Sequence, residues 1–298
     1  MEILIIGASG VLGSRLYNDI IKKKWNTMGT YCSHECVGLF YLDVRDKDSL
    51  EKVFSLFKPE VVVMAGGITD VDLCTLKPKL ARDVNIKGTM NLVKKTKEYD
   101  ARLMYVSTDY VFDGEKGPYS ETDKPNPINT YGRTKLESEN IVRAKLKDSL
   151  IVRTSQLYGA GVAEQSSAPS NNFALKIIHN MQNGKKVYAA DDFYSTPTYA
   201  GSLSEIIIKL IEKRASGIYH GAGAEFINRY NYVNKIADIF GLDKNLIQEV
   251  KLKDLKLKAA RPKKGGLKID NIAGEIDCRL LSCADGLELF KEDLKNHE

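Results

Sequence analysis

Residues 2–13 read Glu2-Ile-Leu-Ile-Ile6-Gly7-Ala-Ser-Gly10-Val-Leu-Gly13, a short apolar run that ends in glycines spaced Gly-x-x-Gly-x-x-Gly. An apolar run without polar alternation suits a parallel strand buried on both faces. Ser14 to Lys24 then reads as an amphipathic helix. Strand, glycine loop and helix in that order make a dinucleotide cradle. The glycines let the backbone turn tightly and approach a pyrophosphate, which sits on the free N–H groups of the helix start. Gly7, Ser9, Gly10, Val11, Leu12 and Gly13 are the candidate cofactor contacts. The plainer alternative is a glycine-rich turn that joins a strand to a helix.

Outward from this unit the chain alternates. Strand patterns cover 26–32, 39–42, Val61–Met64, 103–107 and 150–153. Helical patterns cover 46–57, stopped by Pro59, then 80–99, and a third begins near 129–131 after the turn-rich stretch 113–127. Strand–helix alternation with short links predicts an α/β fold, a Rossmann-type doubly wound parallel sheet with ligands at the carboxyl ends of its strands. Gly7, Ala65-Gly66-Gly67 and Ser107-Thr108 all follow predicted strands. After Gly159 the rhythm breaks. Residues 159–172 read as a loop, and helices at 173–182, 199–213 and 231–240 alternate with short strands at 187–189 and 217–220. The expected division is a dinucleotide-binding domain over 1–158 and a smaller α/β substrate-binding lobe over 159–298. Segments near 191–222 are expected to return to the first domain.

The 298 residues are 43% hydrophobic, enough for a sizeable core. No apolar stretch is long enough for a transmembrane helix, so no membrane partner is expected. Met1-Glu2 leads straight into the first strand and leaves no room for a signal peptide, so a cytoplasmic location is expected. Five cysteines (32, 36, 74, 278 and 283) at irregular spacing read as reduced thiols. Cys32-Ser-His34-Glu-Cys36 fits no common zinc spacing, and no metal is expected. Net charge is +5, with no motif that reads nucleic acid. The basic stretch Lys251–Lys268 is a solvated loop or, at Arg261, a seat for an anionic ligand such as a nucleotide diphosphate.

Chemistry enters at Tyr131-Gly-Arg-Thr-Lys135. Residues four apart on a helix share a face. Tyr131 and Lys135 can therefore point together toward Ser107 and Thr108 at the end of the preceding strand. A phenol has a pKa of roughly 10 and is a poor acid at neutral pH. A neighbouring ammonium lowers that pKa and makes the tyrosine a better donor for carbonyl reduction. A Tyr-x-x-x-Lys match arises often by chance, and its weight here comes from the dinucleotide cradle.

With these segments placed, the chain resembles the extended short-chain dehydrogenases/reductases, and within them the dTDP-4-dehydrorhamnose reductase family. The likeness runs through Gly7–Gly13, Ser107-Thr-Asp-Tyr-Val-Phe-Asp-Gly114, Pro118-Tyr-Ser-Glu121, Pro127-Ile-Asn-Thr-Tyr131-Gly-Arg-Thr-Lys135, Ser195-Thr-Pro-Thr-Tyr199 and Arg261-Pro262. The resemblance implies that Thr108 and Tyr131 bond the substrate carbonyl, with Tyr131 the proton donor. Lys135 tunes Tyr131 and holds the nicotinamide ribose. Ser107 is a neighbouring hydroxyl able to share the role of Thr108. Asp109 and Tyr110 face the sugar, or else serve as a turn residue and core packing. Asp43-Val44 matches the adenine-contacting position, although Asp43 could equally cap the next helix. Ala65 and Gly66 line the pyrophosphate and ribose, and Arg261-Pro262 is the motif of the second lobe.

The implied substrate is a nucleotide-linked sugar. The expected cofactor is NADPH, because Tyr31-Cys-Ser-His34 brings no carboxylate to the end of the second strand and Arg15 lies near the glycine loop in sequence. NADH stays open. Bacterial members that form a metal-bridged dimer carry an acidic residue where Arg15 stands, so that dimer is not implied, and a homodimer of another kind is left open. The same motifs resemble the regulatory beta subunit of methionine adenosyltransferase, a dinucleotide-binding partner protein. A related sugar-nucleotide reductase or epimerase is the third reading.

Overall fold

A computed structural model describes residues 1–161 and 172–296, so most of the loop expected over 159–172 lies outside the described residues. Six strands come from the first half of the chain: β1 (Glu2–Ile6), β2 (Asn26–Tyr31), β3 (Phe40–Tyr41), β4 (Val61–Met64), β5 (Arg102–Thr108) and β6 (Leu150–Thr154). A seventh, Gly217–His220, pairs with β6, giving the order Gly217–His220, β6, β5, β4, β1, β2, β3. All neighbours are parallel.

β1 and β4 are apolar almost throughout because helices cover both faces. Ile3, Ile5, Val61, Val63 and Met104 pack on one side with Leu12, Leu16 and Ile20 of the first helix, Val11–Lys22, and with Leu203, Ile206 and Leu210 of the helix Ala200–Glu212. Leu4, Ile6, Val62, Met64, Leu103 and Tyr105 face the other side, against Leu50, Val53, Phe54, Leu92, Val93 and Val142. The strand order reverses between β1 and β4, and that switch point opens a crevice at the carboxyl ends. The doubly wound parallel sheet is as the alternation predicts.

A second core lies outside this sheet. Helices Phe173–Gln182, Arg229–Phe240 and Cys283–Lys295 enclose Tyr158, Ile177, Tyr232, Ile236, Leu287 and Phe290 beside the parallel pair Val187–Ala190 and Ile247–Val250. The last helix has a legible start, since Ser282 accepts from the Asp285 amide. The helical pattern over 80–99 is not one α-helix: Pro78–Ala81 and Gly88–Glu98 flank a π-helical turn at Arg82–Lys87.

One buried ion pair ties the sheet to the helix Thr130–Lys145. Arg153 donates to Glu139 through Nε at 2.9 Å and Nη2 at 2.6 Å, with side chains 3% and 1% exposed. The Ser107 hydroxyl at the end of β5 donates to the same carboxylate. Breaking such a pair leaves a buried charge uncompensated. Glu139→Leu should lower unfolding stability by about 3–5 kcal/mol in urea titration. A loss below about 1 kcal/mol, the range of an exposed pair, would contradict this anchoring role.

Candidate active site

The glycine loop separates packing from ligand space. A Cβ on Gly13 would lie 2.1 Å from the Gly7 carbonyl oxygen, and one on Gly7 2.6 Å from the Gly66 Cα. Gly7 also adopts φ +84°. Both glycines are required by the chain's own backbone contacts. Gly10 is different, because its Cβ would meet nothing nearer than the Gly7 oxygen at 3.4 Å. Gly10 is the N-cap of Val11–Lys22, and no side chain caps that helix. The amides of Val11, Leu12 and Gly13 begin it, beside the partly exposed Ser9. Leu12 turns its side chain into the core, which leaves only its backbone for a ligand. An uncapped helix start beside a glycine with open space fits a dinucleotide pyrophosphate.

Across the switch point the Ala65 amide donates to Ile6 O at 3.0 Å, which sets Gly66 against Gly7. The turn beyond is held by Asn85, a residue the sequence reading passed over. Its Oδ1 accepts from the Ile68 amide at 2.9 Å, and its Nδ2 donates to Ile68 O at 3.0 Å and to Thr134 Oγ1 at 3.1 Å. Asn85 lies in the π-helical turn and joins the cradle to the helix that carries Tyr131. A buried asparagine inside an apolar helical pattern was the available signal.

Two readings change near the adenine side. Asp43 does not cap the following helix. Asp46 does, accepting from the Asp48 amide, while Asp43 chelates the Arg45 guanidinium at 2.6–3.0 Å. That pairing holds the Asp43 carboxyl below the usual range, with some offset from burial. Val44 packs on Gly88, so its backbone is what remains for a base. Arg15 is not a free cation beside the loop. It donates to Asp19 at 2.8 Å, Tyr199 Oη at 2.7 Å and Asp293 at 2.9 Å. The cation whose charge reaches Cys32 at the end of β2 is Arg45, with a side chain 45% exposed.

The tyrosine and lysine both come to the end of β5. Asn129 caps their helix by accepting from the Gly132 amide at 2.8 Å. Gly132 lets the helix press on the loop after β5, since a Cβ there would lie 2.0 Å from Tyr110 O. Lys135 is 6% exposed, donates to Val106 O at 2.7 Å and lies 4.1 Å over the Tyr105 ring. No hydrogen bond joins it to Tyr131. Tyr131 is 8% exposed, and burial raises its hydroxyl far above an ordinary phenol, with the Thr108 hydroxyl pulling the other way. Desolvation dominates, and the lowering expected from Lys135 is not among the leading influences on Tyr131.

The remaining candidates divide in two. Ser107 is spent on Glu139, and Asp109 is enclosed, accepting from Ser155 Oγ at 2.6 Å and the Gly266 amide at 3.1 Å. These two are engaged within the floor of the site. Burial raises the Asp109 carboxyl. Thr108 donates to Asp109 at 3.2 Å, a long and easily exchanged bond. Tyr110 packs edge-on to Tyr131 with ring centroids 5.6 Å apart, and burial pushes it up to about 12. Arg261 bonds Ala259 O at 2.9 Å and pairs with Asp72 at 2.9 Å, which ties its loop to the helix after β4.

Known proteins share this arrangement. The family model described as the RmlD substrate binding domain matches residues 1–295. A curated relative from Haloferax volcanii, "Probable low-salt glycan biosynthesis reductase Agl14", is 31% identical over 291 residues, 96% of each chain. Methionine adenosyltransferase 2 subunit beta of Xenopus tropicalis is 31% identical over 252 residues, 83% of this chain and 74% of that one. The crystal structure of dTDP-4-dehydrorhamnose reductase from Bacillus anthracis in complex with NADP superposes with a TM-score of 0.86 at 27% identity, covering 97% and 98% of the two chains. The match along almost the whole chain, together with this geometry, makes the protein a member of the RmlD substrate binding domain family.

Proposed function

We propose that the protein reduces the keto group of a nucleotide-linked 4-keto-6-deoxy sugar with NADPH. The observation that carries this reading is a buried tyrosine, with a lysine one turn on and a threonine hydroxyl beside it, at the end of β5 next to an uncapped glycine-loop helix. The similar Bacillus anthracis protein, a dTDP-4-dehydrorhamnose reductase solved with NADP, supports both substrate class and cofactor. The sugar nucleotide would lie between the sheet's carboxyl edge and the second core, with Tyr110 and Arg261 at its border. The division into a cofactor domain over 1–158 and a substrate lobe over most of 159–298 belongs to this reading. So does a cytoplasmic location, which the five free cysteines support. Among the described residues no helix is long and apolar enough to cross a membrane.

When bound, the nicotinamide supplies the hydride that reaches C4. Gly7–Gly13, Ala65, Gly66, Asp43 and Val44 would hold the dinucleotide, and Lys135 its ribose. Tyr131 gives its proton to the carbonyl oxygen, and Thr108 shares that oxygen by exchanging its long bond to Asp109. Tyr131 is protonated at neutral pH, as any phenol is, and burial makes it a weaker acid still, so the transfer depends on stabilising the phenolate that forms. Lys135, one helical turn on, would favour the phenolate left behind.

Tyr131→Phe should cut kcat by about 10²- to 10⁴-fold, the usual contribution of a proton donor, while the NADPH dissociation constant stays unchanged. Near-full turnover would remove Tyr131 from the chemistry. It would favour the second reading, a non-catalytic dinucleotide-binding subunit, for which the Xenopus relative is the specific support. Stoichiometric binding to methionine adenosyltransferase without sugar-nucleotide turnover would establish that reading.

The two kinds of glycine should respond differently. Gly10→Val should leave the melting temperature near wild type and weaken NADPH binding strongly, because its space is open within the chain. Gly13→Ala should lower the melting temperature, because its Cβ has no place. Equal NADPH affinity in a folded Gly10→Val protein would make Gly10 only a turn residue. Arg45→Ala should raise KM for NADPH more than for NADH, since Arg45 is the cation near the end of β2. Equal effects on the two would exclude it from 2′-phosphate recognition.

A further inference from the structure

We infer that Arg229 is the anion-receiving group of the substrate pocket, binding the diphosphate of the sugar nucleotide. The inference rests on the reading of the substrate as a sugar nucleotide and deepens it. Arg229 opens the helix Arg229–Phe240, and its guanidinium lies 4.0 Å from the Phe173 ring centroid and 4.9 Å from that of Phe193. Its amide donates to Phe193 O at 2.8 Å, which fixes the backbone at that point. Among the described residues no carboxylate, carbonyl or hydroxyl accepts from its side chain, and Nη1 is fully buried without a partner. A buried guanidinium ordinarily has an ion-pair partner, because desolvating a charge is expensive.

The surroundings are mixed in charge. Tyr110 and Asp109 from the end of β5 are near enough for their charges to act on Arg229, and Arg261 is near enough to repel it. Burial pulls the Arg229 guanidinium down to about 10, still charged at neutral pH. Arg261 is partly neutralised by Asp72 and tied to Ala259 O, whereas Arg229 has no such counter-charge. A second unpaired donor stands on the same wall. Gln156 follows β6 with φ +39° and accepts from Ser195 Oγ, while its Nε2 is buried without an acceptor. Ser195 in turn pairs with Ile227, two residues before Arg229. Two aromatic rings lie against the guanidinium, and its unpaired Nη1 is a donor in want of an acceptor such as an anion. Phosphate oxygens match the guanidinium fork.

The test uses the full chain, with dTDP, UDP and GDP as probes in calorimetric titration and NADPH as control. Arg229→Met keeps the stem and the aromatic packing while removing the charge. It should weaken binding of the preferred nucleoside diphosphate by about tenfold or more, the loss expected for a charge-assisted contact, with NADPH affinity unchanged. The melting temperature should hold or rise, because an unpaired buried charge is gone. Arg229→Lys keeps the charge without the fork. It should recover part of the affinity, and it serves if Arg229→Met does not fold. Arg261→Ala should lower the melting temperature, since it releases Asp72. Diphosphate affinity within about twofold of wild type in a folded Arg229 variant would overturn the inference and leave the sugar-nucleotide reading standing. So would a fall in melting temperature with affinity intact, which would make Arg229 a packing cation. A wild-type protein that binds none of the three diphosphates would remove the sugar-nucleotide reading itself, and the inference with it.

Discussion

The helix Thr130–Lys145 presses on the end of β5 so closely that Gly132 has no room for a side chain beside Tyr110 O. That contact puts Tyr131 and Lys135 inside the protein at the sheet's carboxyl edge. It is held from three sides. Glu139 meets Arg153 and Ser107, Lys135 bonds Val106 O, and Thr134 accepts from Asn85. Asn85 carries the restraint on to the turn after β4, whose Gly66 packs against Gly7. The proton donor and the dinucleotide cradle are therefore positioned by one connected set of buried contacts. Loosening the helix would displace both.

Burial has two consequences here. It raises the Tyr131 hydroxyl and the Asp109 carboxyl, and it encloses the bonds by which Asp109 joins Ser155 and the Gly266 amide. The wall toward the second core carries unpaired donors. Its buried donors, Arg229 Nη1 and Gln156 Nε2, have no acceptor among the described residues. An anionic group on the substrate would give these donors an acceptor.

The parts of this legible in the sequence were those set by local spacing. The apolar strands, the glycine loop and the four-residue step from Tyr131 to Lys135 all follow from periodicity, and each stands where it was expected. The glycines looked alike in sequence, yet Gly7 and Gly13 serve backbone packing and Gly10 alone leaves room for a ligand. Side-chain pairings across the chain were not legible. Arg15 is engaged by Asp293, and Arg261 by Asp72, partners that no spacing rule brings together. Arg229 escaped notice because the helix was read as starting at Asn231, which put the arginine in a loop. The charge of Lys135 predicts a lowered Tyr131, whereas desolvation, which no spacing reveals, raises it.

The central claim is that this site transfers a hydride and a proton to a sugar carbonyl. The most direct measurement is NADPH absorbance on mixing the wild-type protein with dTDP-, UDP- and GDP-linked 4-keto-6-deoxy sugars. The account expects stoichiometric loss of NADPH with at least one of them, matched by formation of the 4-hydroxy sugar nucleotide. Tight NADPH binding with no oxidation in the presence of any of these substrates would contradict it.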